Sequence, residues 1–265
     1  MKHKLIAGFL LVALLITPLA YSSDFTKGVE AFDRGNYQQA YEIFRPFAED
    51  GYSSAQYNLG LIYENGQGVV QNYAEAASWY RAAAEQGHAD AQFNLAVMYY
   101  HGLGVAQNGA EALRWYRAAA EQGNADAQFV LGSMYFEGQG VPQDDLEAVR
   151  WFRAAAEQGH ADVQFVLGSM YFEGQGIPQD DLEAVRWYHA AAEQGHADAQ
   201  FRLSSVYFLG RGVKQNYVQA HMWANIAAFH GHETAVRVTN VLSELMTTAQ
   251  IQEAQKLAQE WVNSH

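Results

Sequence analysis

Ten histidines are the residues of this chain most able to do chemistry, since an imidazole can bind zinc or carry a proton near neutral pH. His88, His160, His196 and His232 share one phase, each following a glycine. Stacked helices lie roughly 8–10 Å apart, whereas zinc holds its ligands at about 2 Å, so neighbours in that row cannot share an ion. His221, His230 and His232 are closer in sequence and form the one cluster to test as a metal site, with solvated or helix-capping roles the favoured reading. Catalytic motifs are missing. No Ser-x-x-Lys, Lys-Thr-Gly, Gly-x-Ser-x-Gly, His-Glu-x-x-His, P-loop or Gly-x-Gly-x-x-Gly occurs. The Gly-x-Gly pairs Gly66/Gly68, Gly102/Gly104, Gly138/Gly140, Gly174/Gly176 and Gly210/Gly212 recur at one interval, as turns do and phosphate cradles do not. No catalytic residue, cofactor or metal is therefore assigned.

The elements behind these residues repeat. Trp79, Trp115, Trp151, Trp187 and Trp223 are spaced by 36 residues, and Ala-Glu-Gln-Gly ends at Gly87, Gly123, Gly159 and Gly195 on the same beat. A fixed period of this length signals a solenoid, in which each unit covers only its neighbours' apolar faces. Five units follow at 52–87, 88–123, 124–159, 160–195 and 196–231. The third and fourth agree at 31 of 36 positions. Catalysis needs one asymmetric constellation, and a catalytic pair placed in one of these units would be duplicated in the next.

Within the third unit, Ala127, Leu131, Met134 and Tyr135 share one helical face. Gly138 and Gly140 reverse the chain, Val141 plugs the loop into the core, and Pro142 prevents re-entry into the helix. Asp144 or Asp145 caps a second helix, striped by Ala148, Trp151, Phe152 and Ala155, and Gly159 ends it. Gly132, which recurs as Gly60, Ala96, Gly168 and Ser204, lets the two helices approach closely, with the tryptophan filling the gap between neighbours. The Trp row reads as core and not as a cofactor box. An opening helix pair at 23–51 and capping helices at 232–265, with a Thr247/Gln250 capping box, bring the expected total to fourteen helices.

Lys and Arg number 16 against 29 Asp and Glu, a net charge of −13, which argues against nucleic acid and anionic membrane as main partners. Lys2, His3 and Lys4 precede an apolar run from Leu5 to Ile16, then Pro18 and the small-residue pattern Ala20-Tyr21-Ser22. This reads as a signal peptide over 1–22, cleaved after Ser22, with a retained anchor as the alternative. No membrane insertion is expected after cleavage. With no cysteine, lipidated cysteine, disulfides and thiolate metal sites are excluded, and a periplasmic or secreted location follows.

The series Ala-x-Ala-Gln-x-x-Leu-Gly-x-x-Tyr, Gly-x-Gly-Val and Ala-x-x-Trp-Tyr-x-x-Ala-Ala-x-x-Gly resembles the Sel1-like repeat, a relative of the tetratricopeptide repeat, over Tyr52–Gly231. The fifth unit departs most, with Ala224 and Asn225 after Trp223 and Phe229-His230 in place of Glu-Gln. The resemblance implies an all-α, right-handed superhelical α-solenoid of helix-turn-helix repeats, and an adaptor or scaffold that binds a partner protein. It leaves two alternatives, a hydrolase of β-lactam or cell-wall type and a structural spacer in an envelope assembly. By similarity to tetratricopeptide arrays, the concave groove is lined by the face opposite the core. That face carries Asp90, Asp126, Asp162 and Asp198; Phe93, Phe129, Phe165 and Phe201; Ser133 and Ser169; Tyr100, Phe136, Phe172 and Phe208; and Glu137 and Glu173. Rings rimmed by carboxylates suit a protein or peptide with apolar and basic residues. The alternative buries one aromatic row between successive units, and the Phe136 row is the one expected to stay free.

Overall fold

The computed structural model describes residues 18–265. Among the described residues are fourteen helices and no strand: α1 Pro18–Asp33, α2 Tyr37–Glu49, α3 Ser53–Asn65, α4 Tyr73–Glu85, α5 Ala89–His101, α6 Gly109–Glu121, α7 Ala125–Glu137, α8 Asp145–Glu157, α9 Ala161–Glu173, α10 Asp181–Glu193, α11 Ala197–Leu209, α12 Tyr217–Phe229, α13 Ala235–Glu244 and α14 Thr248–Ser264. No helix among them is long and apolar enough to cross a membrane. The signal-peptide reading falls mainly on 1–17, outside the described residues; 18–22 open α1, which starts ahead of the expected first run at Asp24.

The chain divides into two compact units. The first contains α1 to α4 with Leu103–Val105, and its core joins Phe44, Leu59 and Ile62, with Val69 and Trp79 packed against them. The second contains α5 to α14. Its hairpins pack α5 on α6, α7 on α8, α9 on α10 and α11 on α12, and each second helix rests on the next first helix. Local sequence writes these helices. Asn108, Asp144, Asp180 and Asn216 each accept hydrogen bonds from two backbone N–H groups at the start of a second helix. Asp144, not Asp145, is the cap. Gly138, Gly174 and Gly210 end the first helices in the left-handed conformation. Ile177 and Val213 turn from these loops into the core. The expected Thr247 capping box forms.

One core role goes beyond the sequence reading, and the tryptophans fill the gap between neighbours as expected. The ring lying on the small residue of the first helix is the aromatic after the tryptophan. A Cβ on Gly132 would stand 2.8 Å from Phe152, and one on Gly168 would stand 2.9 Å from Tyr188. The tryptophans sit farther out, between repeats. Trp151 joins Ala119, Ala120 and Leu131, and Trp187 joins Ala148, Phe152 and Leu167. Their Nε1 atoms are buried without a hydrogen-bond partner, so apolar area is what these indoles contribute. Arg150 covers Trp151 at 4.5 Å and Arg186 covers Trp187 at 5.0 Å.

A polar ladder runs through the same hairpins. Gln128 and Gln164 are buried. Their Nε2 atoms donate to the carbonyls of Ala120 and Ala156, at the ends of the preceding helices, at 3.1 and 3.0 Å. Their Oε1 atoms accept from Gln158 and Gln194, 30 residues on, at 2.8 Å each. In the fifth repeat His230 replaces that second glutamine and meets Gln200 at 2.8 Å. Each buried glutamine thereby satisfies a helix end that would otherwise face the core.

Candidate functional site

The outward face of the first helices in the second unit carries the residues expected to meet a partner, and each repeat engages its neighbour there. Asp90 accepts from Asn124 Nδ2 at 2.9 Å, and Asp126, Asp162 and Asp198 lie 3.9, 3.3 and 3.5 Å from His160, His196 and His232. The same imidazoles cover rings. His196 stacks on Phe165 at 4.8 Å and His232 on Phe201 at 4.0 Å. His196 Nδ1 also accepts from Ala199 N–H at 3.2 Å, a helix cap. The histidine phase is thus a clasp between successive repeats, which spacing alone did not reveal. Its aspartates keep much of their surface, 87% of the side chain for Asp162.

The Phe136 row is not the expected free one, because Phe136 and Phe172 pack on the aromatic after the tryptophan; each row keeps one exposed ring. Tyr100 and Phe129 are 38% and 36% exposed, large values for aromatic rings. Phe93, Phe165 and Phe201 are half-buried, as are Phe136, Phe172 and Phe208. Phe136 packs on Phe152 with ring centres 6.4 Å apart, and Phe172 lies 6.3 Å from Tyr188. Arg211 covers Phe172 at 3.7 Å while bonding Asp181 at 2.5 Å. That pairing holds the Asp181 carboxyl below its ordinary value. The Ser133 and Ser169 hydroxyls donate to the carbonyls of Phe129 and Phe165, and exposed Glu137 accepts from Gln139 at 2.6 Å. Glu173 is exposed at the end of α9. Beneath this face the Tyr116 hydroxyl is pushed up to about 12 by burial.

His221, His230 and His232 point to separate partners. His221 is buried, with Nε2 3.0 Å from Ser243 Oγ and Nδ1 2.9 Å from Asn225 Nδ2. Among the described residues no three metal-binding side chains are grouped. His189 Nε2 lies 3.3 Å from Tyr207 Oη, against the edge of Trp223. Burial holds both His189 and His221 below the ordinary histidine value. A lowered folded-state value favours the neutral ring, so the stability it confers is complete above the unfolded value of about 6.5 and fades as pH falls below it. The melting temperature should drop between pH 7.5 and pH 5, and drop less in the His189→Gln/His221→Gln double variant. Parallel drops in thermal melts of the two proteins would contradict this.

The Sel1 repeat profile matches residues 53–88, 89–124, 125–160, 161–196 and 197–232. The chain belongs to the Sel1-repeat family. Proteins with Sel1 repeats are generally protein-interaction scaffolds, and the fold here is their α-solenoid of helix hairpins. The crystal structure of a protective antigen present in uropathogenic Escherichia coli strains, displaying an SLR fold, matches with a TM-score of 0.80 and 36% identity, over 92% of this chain and 54% of that one. The Sel1-repeat chain thus spans about half the length of that antigen. A Sel1 repeat protein from Oxalobacter formigenes matches with a TM-score of 0.71 and 33% identity, over 91% of this chain and 98% of its own. No curated protein matches the sequence.

Proposed function

We propose that this Sel1-repeat chain is an exported, non-enzymatic scaffold whose concave groove, lined by the outward faces of α5, α7, α9 and α11, holds a partner polypeptide carrying apolar and basic residues. One observation carries this reading: Tyr100 and Phe129, on consecutive repeats, leave more than a third of their surface in water beside exposed carboxylates. Exposed rings rimmed by charge supply anchors and register in protein recognition. Asp90, Asp126 and Asp162 steer the basic residues, with Phe93, Phe165 and Phe201 alongside. Export rests on the basic and apolar run at the N-terminus.

The test is capture of partners by the 23–265 chain, followed by titration of the captured protein. Tyr100→Ala/Phe129→Ala should weaken binding at least tenfold, as loss of two aromatic anchors does. The helical circular dichroism should be unchanged, because both rings are already exposed. Undiminished binding by the double variant, or a captured partner that loses nothing on exchange of its basic residues, would remove the groove reading. Fractionation of cells making the full chain tests export, with an uncleaved cytoplasmic product as the contrary result.

A further inference from the structure

The fifth repeat lacks the ring that closes the others. Phe152 lies over Gly132 and Tyr188 over Gly168, but the corresponding residues of α11 and α12 are Ser204 and Ala224. Leu242 of α13 is buried with Ala220 and Ala224 and takes part of that space. A cleft of about 320 Å³ remains between α11 and α13, at the low end of the range of roughly 300–1,000 Å³ for ligand sites. Phe208, Leu209, Val238 and Val241 wall it. Ser204 also lines it and is 1% exposed. The Ser204 Oγ has no hydrogen-bond partner, whereas the neighbouring Ser205 Oγ donates to the Phe201 carbonyl at 3.2 Å. Leu209 and Val241 are more than half exposed, so the apolar surface continues past the cleft onto the outside.

The one charged residue lining the cleft is Arg237, which is exposed and absent from the ion pairs among the described residues. A lone cation beside an apolar cleft favours an anionic neighbour at that spot, against the chain's overall charge of −13. We infer that this cleft is a socket for a tyrosine side chain of a partner polypeptide that carries a carboxylate beside it. The incoming ring takes space that a repeat aromatic fills elsewhere and packs on Phe208, its hydroxyl is the match for Ser204 Oγ, and the carboxylate meets Arg237. The inference rests on the reading of the chain as a protein-binding one but not on the groove, from which only Phe208 is shared.

The test is fluorescence anisotropy with a fluorescein-labelled peptide centred on Glu-Tyr-Leu-Glu, titrated with the 23–265 chain. Saturable binding is expected, lost with alanine for the tyrosine and weakened with lysine for both glutamates. Val241→Trp, which fills the cleft from an exposed position, should abolish binding. Arg237→Glu should weaken it roughly fivefold, the scale of an exposed ion pair reversed. Tyr100→Ala/Phe129→Ala should leave it unchanged; a loss there would move the peptide to the groove and overturn the assignment. So would absent binding, unaltered binding by Val241→Trp, or preference for the lysine peptide. Sedimentation showing a dimer that Val241→Trp dissolves would make a second copy the occupant and equally end it.

Discussion

Replacing Gly212 with alanine should destabilise the second unit by at least about 3 kcal/mol, whereas the same change at Gly140 should cost only about 1 kcal/mol. Both glycines are the second of a Gly-x-Gly pair, and their φ values are +67° and +72°. The left-handed penalty is therefore common to both variants. What differs is the surroundings. A Cβ on Gly212 would stand 2.2 Å from the carbonyl oxygen of Asp181 and 2.5 Å from its carbon. That backbone is the first turn of α10, and Arg211 further pins the Asp181 carboxylate. It has no easy way to retreat. Gly140 would meet only the end of the Met134 side chain at 3.6 Å. The position that corresponds to Asp181 there is Gly109, which has open space around it. Thermal melts should separate the variants by roughly 4–8 °C at the usual scaling for a chain this long. Equal melting temperatures would mean that the loop does not press on the preceding repeat as described.

Phe152→Ala should be the most damaging single truncation in the third repeat, at about 3–5 kcal/mol. The ring is 2% exposed, touches Phe129 and Phe136, and lies over Gly132. Gly132→Ser alone should cost about 1–3 kcal/mol by overpacking against that ring. The double variant recreates the combination of the fifth repeat, Ser204 with Ala224, and should be more stable than the sum of the single effects by at least about 1 kcal/mol, because serine enters space the ring has left. Chemical denaturation of the four proteins measures this coupling. Strict additivity would show that the small residue and the ring are not a packed pair.

The repeat is also why so much of the architecture was open to sequence reasoning. Trp at every 36th residue, the glycines at each reversal and the Asp or Asn before each second helix are local signals, and backbone geometry answers them locally. A cap at Asp144 or Asp145 and the end of α7 at Gly138 required no knowledge of neighbours, and the structure selects Asp144. The pairings between elements did. Spacing showed that Gly132 faced something close but could not show that the partner was Phe152 and not Trp151. These two rings are adjacent in sequence and differ only by one helical step, which directs one into its own hairpin and the other to the joint with the next. Gln128 recurs in all five repeats and Gln158 in four of them, yet polar residues read from sequence as surface. Only packing reveals that one of each pair ends in the core, satisfying a helix terminus.

The candidate face divides in the same way. That Asp126, Phe129 and Phe136 lie off the Ala127–Leu131 face of α7 follows from helical periodicity. Which rings remain in water does not, because it depends on the next repeat. Phe165 and Phe201 are covered by His196 and His232, whereas Phe129 stays more exposed. The amino-acid sequence by itself determined the repeat, its helices, its caps and the acid balance of the surface, since these follow from period, turn chemistry and charge count. Tertiary structure alone decided the histidine clasps, the glutamine ladder and the cleft beside Ser204, since each depends on the distance between side chains some 20 to 40 positions apart in the chain, and that distance exists only once the helices have packed.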